Sequence, residues 1–251
     1  MAHAIEVQEV GMAEAGSQTM PLTRVPLLRG AIEGVETNYC VQAEGEQSPC
    51  RPSKRARVIL FTRGGGVART GGKSFEFNQI AALVVPANGP LFIQATRSPL
   101  EYLEVLIDLR DDQESACLQS REPFFALYSQ CKPYAEAIKS PRTVSRTIVP
   151  AGVVPRFCMG SVETPGPDAV DAHAHPMLEQ LFFGLPGNAC VVVANGVEQC
   201  LGELTLLHIP SASSHGVRVK EGRRMHYVWM DFFRNEEDLA YIQEQHKPIQ
   251  R

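Results

Sequence analysis

The stretch Asp171-Ala-His-Ala-His-Pro-Met-Leu-Glu-Gln-Leu-Phe-Phe183 concentrates the residues best suited to chemistry. Alternate residues of a β-strand face the same side, so His173 and His175 point together and Glu179 keeps their parity. Met177, Leu181 and Phe183 share that parity and add apolar bulk. Two imidazoles and a carboxylate on one apolar face suit the inside of a small barrel with a metal at its mouth. A third imidazole comes from Pro210-Ser-Ala-Ser-Ser-His215, where Pro and Ser predict a turn delivering His215 from a distant strand. Three neutral imidazoles and one carboxylate suit Mn, Fe, Ni, Co, Cu or Zn, and are too nitrogen-rich for Ca or Mg. Four protein ligands on an octahedral ion leave two positions for substrate or water, the open arrangement of a catalytic site. The expected ligands are His173, His175, Glu179 and His215.

Other residues fall near this set. His226 and Tyr227 begin a late strand, so one of them is expected to face the interior. Both are candidate catalytic groups, His226 as a proton donor beside the metal. Asp171 has the parity of His173 and is a candidate to orient an imidazole. Met177, Phe183 and Trp229 are expected to pack the barrel, and His208 to face away from the metal.

These side chains need a β framework, and the sequence supplies one. Residues 56–109 read as short strands between Gly- and Pro-marked turns: ARVILF, GGGVART, GGKSFEF, IAALVVP, LFIQA and EYLEVLIDL. Such spacing predicts a sandwich or small barrel. Residues 111–145 lack strand alternation and predict a partly helical connector. Short strands resume at 146 and run to 233, and Asn235 followed by acidic residues predicts a C-terminal helix. Residues 1–20 are polar, small and without periodicity, and are expected to be a disordered tail. The expected domains are therefore 21–110, 111–145 as connector, and 146–251.

The two strand-rich blocks repeat an order of features. Pro86 leads through apolar strands to Asp108, and Pro210 leads likewise to Asp231, at nearly equal spacing. This argues for internal duplication. The first block has no His near Ser53 or in its Pro86 turn, so one metal is expected, in the C-terminal half. Arg51, Lys54, Arg55 and Arg57 read as a solvated loop and strand start rather than an anion site.

With these residues in view, the sequence resembles the cupin superfamily. Its first motif is Gly, a short gap, His-x-His, three or four residues, Glu, six residues, Gly. Gly166, His173, His175, Glu179 and Gly187 fit, with each gap to Gly one residue longer. Its second motif is matched by Gly202, Pro210 and His215, with Ala212 where the family has Gly. The resemblance implies an all-β chain of two tandem jelly-roll barrels, covering 150–233 well and 56–109 weakly. The two-domain length and the ending HYVWMDFFRN are also similar to bicupins of the ureidoglycine aminohydrolase type. Those use manganese on small polar amides or amines; only their architecture carries over, and manganese is favoured among Mn, Fe, Ni and Zn.

Bulk composition narrows the classes further. The chain has 251 residues, 44% hydrophobic and 21% charged, with a formal net charge of −4. That gives no nucleic-acid footprint and no polybasic membrane patch, and no apolar stretch reaches membrane-spanning length. The first twenty residues carry Glu and no Lys or Arg, unlike a secretory or mitochondrial leader, so the expected compartment is the cytoplasm. Seven scattered cysteines without a CxxC pair are expected to be free thiols. The expected partner is a small-molecule substrate, with a homodimer as the expected assembly. Three functions fit: a metal-dependent hydrolase, isomerase or lyase acting on a small polar metabolite, an oxygen-dependent dioxygenase, and a non-enzymatic sensing module.

Overall fold

The computed structural model describes residues 5–11, 22–50, 52–110, 122–235 and 237–245. The chain forms two compact units, Met1–Glu9 with Cys131–Arg251, and Val10–Gln130. Strand β1 (Glu6–Glu9) belongs to the first of these, which we call the C-terminal unit. The expected disordered tail thus includes a strand, because alternating Glu6-Val-Gln-Glu9 finds an open sheet edge to pair with.

The N-terminal unit contains β2 (Leu22–Leu27), β3 (Val35–Gln42), β4 (Gln47–Cys50), β5 (Ala56–Thr70), β6 (Lys73–Phe77), β7 (Ala81–Val85), β8 (Leu91–Ile107) and β9 (Phe124–Leu127). All pair antiparallel, in the order β2-β3-β8-β5-β7-β9, with β4 on β8 and β6 on β5. The segments ARVILF and GGGVART, expected as two strands, are one bent strand, and so are LFIQA and EYLEVLIDL. The β5 bend lies at Gly64-Gly65-Gly66, where the register with β8 shifts repeatedly. Gly64 has φ of 83°, and a Cβ there would lie 2.7 Å from the Pro99 carbonyl oxygen. Only glycine lets the strand turn this corner. Past the bend, the far halves of β5 and β8 run with β4 and β6 and close over a core that includes Phe61, Phe77, Leu83, Ile93 and Tyr102.

The C-terminal unit adds β10 (Pro133–Tyr134), β11 (Val144–Val154), β12 (Phe157–Pro165), β13 (Asp168–His173), β14 (Leu178–Gly184), β15 (Ala189–Ala194), β16 (Val197–Gly202), β17 (Thr205–Ile209), β18 (His215–Val219) and β19 (Arg224–Phe233). Its large sheet runs β1-β17-β14-β19-β12-β11-β10 and its small sheet β13-β18-β15-β16. Apolar residues of both sheets, among them Val162, Val192, Leu207 and Val217, meet between them. Helix α1 (Asp238–Gln245) follows, with the Asp238 carboxylate accepting from the Asn235 N–H as in a capping box.

The duplication is visible in strand order. The series β9-β7-β5-β8-β3-β2 recurs as β1-β17-β14-β19-β12-β11, and β4-β8-β5-β6 recurs as β13-β18-β15-β16. Arg57 pairs with Val85 and Leu106, and Gln180 with Ile209 and Asp231. Pro86 and Pro210 therefore follow equivalent strand ends. The counterpart of Asp231 is Leu106, not Asp108, which lies outside β8 and pairs with Arg55. Each fold unit ends its large sheet with a strand from outside the repeat.

The expected connector holds no α-helix among its described residues. Residues 122–145 instead supply β9, a single 3-10 turn and β10, and residues 111–121 lie outside the described part. The Tyr128 N–H bonds the Ile80 carbonyl and Pro133-Tyr134 pairs with Arg146 and Ser145 of β11, and these partners outweigh the helix formers around them. Among the described residues six cysteines form no disulfide; Cys117 lies outside them. Of the basic cluster, Arg55 pairs with Glu36 and Asp108, and Arg57 with buried Glu104; Arg51 lies outside the described residues. Among the described residues no helix is long and apolar enough to cross a membrane.

Candidate metal centre

Strands β13 and β18 run antiparallel and pair His173 directly with His215. A cross-strand pair brings side chains within contact, and the two imidazole centroids are 4.6 Å apart. His175 lies just past the end of β13, its ring centroid 4.8 Å from that of His173 and 5.5 Å from that of His215. One nitrogen from each ring lies within 4.8 Å of the other two. The His173 Nδ1 bonds the Asp171 carbonyl at 2.8 Å and the His215 Nδ1 bonds the Ser213 carbonyl at 3.0 Å. A ring that donates its Nδ1 proton to a carbonyl presents the Nε2 lone pair, the arrangement common in metal-binding histidines. Two nitrogens each about 2.1 Å from one ion lie at most about 4.2 Å apart, so small ring rotations close the triad on a metal. The donor set fits a divalent transition metal. The orienting group at His173 is the Asp171 backbone carbonyl; the side chain of Asp171 belongs to an exposed residue.

Glu179 is placed elsewhere. A turn at Pro176-Met177 interrupts the extended chain after His175, so strand parity does not carry through to β14. The Glu179 carboxylate accepts from His208 Nε2 at 2.8 Å and from the Ser211 N–H at 3.2 Å. Burial opposes its charge, but His208 and the Ser211 N–H outweigh that and hold the carboxyl below its ordinary range. Its role is to tie loops. Ser211 Oγ also donates to the Pro176 carbonyl at 2.8 Å, and the Ala212 N–H donates to the His175 carbonyl at 2.9 Å. The loops carrying His175 and His215 are thereby fastened together. Asn195, in the β15–β16 turn, adds bonds to Ser213 and Ser214. Ala212, standing where the second motif has Gly, adopts φ of 64°, the left-handed conformation that explains a glycine there.

Gln180 faces the site in place of Glu179. Four residues separate it from His175 and six from Gly187, both gaps within the motif, and that spacing is the signal that singles it out. Its Nε2 donates to Asp231 Oδ1 at 2.8 Å, and its buried Oε1 has no hydrogen-bond partner among the described residues. Tyr227, two strand positions from Trp229 and four from Asp231, lines the same cavity. Burial keeps the Tyr227 phenol protonated far above its ordinary value. His226, on the opposite face of β19, points to Glu163 with Nε2 3.9 Å from the carboxylate, and so takes no place beside the histidines. Burial, aided by Arg224 and Arg146 against Glu163, lowers its pKa to about 4.

The triad lines a cavity of about 850 Å³ inside the C-terminal unit. Phe182, Val162, Val217 and Trp229 make much of the wall apolar, and Gly160 leaves room for the indole, since a Cβ there would overlap the Trp229 ring. Met177 and Phe183 pack in cores as expected, and Trp229 reaches the cavity as well. Polar residues that sequence reasoning passed over, Tyr134, Glu136 and Lys139, enter from the segment after β9. They had no motif to mark them.

Comparison with solved structures fits this architecture. A glyoxylate-induced protein from Pseudomonas aeruginosa superposes with a TM-score of 0.70 at 12% identity, covering 84% of this chain and 80% of its own. A point mutant of salicylate 1,2-dioxygenase from Pseudoaminobacter salicylatoxidans superposes at 0.66 and 10% identity, covering 98% and 88%. A loop mutant of oxalate decarboxylase from Bacillus subtilis gives 0.63 and 12%, covering 86% and 73%. The fold is the cupin jelly roll, used twice. No protein-family model and no curated protein matches the chain by sequence. At these identities the likeness speaks for the cupin fold alone.

In the N-terminal cupin unit the terminal ladder pair of β4 and β8 is Cys50 with Leu91, where β13 and β18 have His173 with His215. Both are buried, and the neighbouring interior is occupied by Glu104 bonded to Arg24, Arg57 and Asn38.

Proposed function

We propose that this cupin is a metal-dependent enzyme acting on a small carboxylate-bearing metabolite, with His173, His175 and His215 holding one divalent transition metal. The observation that carries this is the meeting of three imidazoles at the wall of a large, mostly apolar cavity. All three protein donors are neutral, and the adjoining Gln180 is neutral as well, so no charged ligand offsets the ion. The metal, when bound, supplies Lewis acidity to an oxygen of substrate or water. The chain itself contributes the rest. Tyr227 offers a phenolic proton, Asp231 offers a carboxylate fixed by Gln180, and the apolar wall keeps water from the reacting group. Manganese is the favoured ion, on the resemblance described above, with iron, nickel and zinc as the others that suit the donors.

One observation favours an oxygen-dependent reaction as the second reading. With Glu179 turned away, the ion would be held by three histidines, which would leave room for a substrate and a second small molecule beside it. Elemental analysis of the purified protein, followed by a screen of small acids with and without oxygen, tests both readings. Metal-dependent turnover without oxygen supports the first, and turnover matched by oxygen uptake supports the second. Tight binding without turnover under either atmosphere overturns both and leaves a sensing module.

A further inference from the structure

Away from the histidines, the cavity wall holds a buried lysine. Lys139 has a side chain 7% exposed, lines the cavity, and is supplied by the segment that leads from β10 to β11. Its Nζ donates to Ser145 Oγ at 2.9 Å and pairs with Glu136 Oε2 at 2.9 Å. An ammonium has three protons, and among the described residues these two bonds use two of them. Glu136 also accepts from Tyr134 and is itself 3% exposed at the side chain. The strand position of Lys139 is fixed by a bridge to Val170 and by the Asp171 N–H bonding the Ile138 carbonyl at 3.1 Å. Val170 precedes His173 by three residues, across a bulge in β13. Burial pulls the lysine pKa down, opposed by Glu136 and Asp231.

We propose that Lys139 receives an anionic oxygen group of the ligand, and that the ligand is an acid with an apolar, ring-sized body rather than a two-carbon acid. This rests on the reading of the cavity as a substrate site. Three features agree: a buried ammonium at the cavity wall, a wall of Phe182, Tyr227 and Trp229 on which a ring can lie, and a volume of about 850 Å³, toward the upper end of small-molecule pockets. Lys139 holds one end of the ligand and the histidine end of the cavity takes the other. Glu136 and Ser145 keep the ammonium from swinging, so the anion is met by a fixed charge.

Trp229 is the chain's single tryptophan and lines this cavity, so its fluorescence reports occupancy directly. The test titrates phenylacetate, 3-phenylpropionate and 4-phenylbutyrate, each beside its uncharged amide, into metal-free and metal-loaded protein. In the metal-free protein at least one acid should bind more tightly than its amide by about 10- to 100-fold, the worth of a charge-assisted hydrogen bond. Lys139→Arg should keep that preference. Lys139→Gln, and the double change Glu136→Gln with Lys139→Gln that removes both members of the ion pair together, should abolish it while the amides bind as before. A preference that appears only with metal and survives Lys139→Gln would overturn the proposal, since the acid would then be binding the ion. Absence of quenching by every acid would overturn it too. A failure of the metal reading is separately visible, as loss of metal binding with the acid preference intact.

Discussion

His173 and His215 face one another across a ladder while His175 reaches the same point from a loop, so each ligand is held by different backbone. Changing His173 and His175 together to Ala should lower bound metal from about one equivalent to nearly none, read by elemental analysis. Protons compete with the ion at an imidazole pKa near ~6.5, so metal affinity should weaken as pH falls below that value, with more than one proton taken up per ion released. Titration of metal affinity from pH 8 to 5 checks this, and a flat profile would exclude the histidines. His226 behaves differently because it is buried against Glu163 and Arg224 and stands apart from the triad. Its folded pKa of about 4 lies below the unfolded ~6.5, so the unfolded chain takes the proton first. Stability is full above pH 6.5 and is lost as pH falls toward 4, by at most about 3 kcal/mol. Denaturant melts of metal-free protein should show a smaller loss over this window in His226→Gln. The imidazoles were legible in the sequence because His-x-His and a Pro-turn His are unusual in composition. Glu179 was misplaced because parity counting assumes an unbroken strand, and Pro176-Met177 breaks it.

The loops between strands set how well the triad is held. Glu179, Ser211 and Ala212 fasten the His175 loop to the His215 loop through three hydrogen bonds. Glu179→Gln should therefore weaken metal affinity by about 10-fold, the usual effect of disturbing a ligand's support, without abolishing binding. Complete loss would mean that Glu179 coordinates the ion. Ala212 sits at φ of 64° with a Cβ that disfavours it, so Ala212→Gly should stabilise the protein by about 1 kcal/mol, measured by chemical denaturation. Asp168 joins another pair of segments. It accepts from Ser140, Thr143 and Thr164 side chains and from the Ala169 N–H. Burial works against its charge, yet these donors hold the carboxyl below its ordinary range. Asp168→Ala should cost about 2 to 3 kcal/mol at neutral pH, a difference that fades as acid protonates the wild-type carboxyl. Strand positions were readable from turn spacing, but the corners of β5 and β8 were not. A glycine run marks a turn and a bend in the same way, and only pairing on both sides of Gly64-Gly65-Gly66 reveals one continuous strand.

At the scale of the chain, two barrels share a strand order and differ at the position that matters. His173 with His215 in one barrel stands where Cys50 with Leu91 stands in the other. Metal should accordingly slow hydrogen exchange at amides of residues 131–245 and leave those of residues 22–110 unchanged. Equal protection of both would argue for a second site. The duplication was visible beforehand in the two prolines, whereas the paired aspartates were a coincidence of spacing. Asp231 is buried against Gln180, while Asp108 lies outside its strand beside Arg55.

The partnership of β1 with β17 has a consequence for synthesis. Glu6 pairs with His208, so the two halves of that ladder leave the ribosome about 200 residues apart. At roughly 5 to 20 residues per second, the first strand waits some 10 to 40 seconds for its neighbour. The barrel of residues 22–130 can form in that interval, but the C-terminal barrel must finish its large sheet with a strand made about 200 residues earlier. A nascent chain stalled before residue 205 should present Glu6–Glu9 to protease, and one released after residue 233 should protect it.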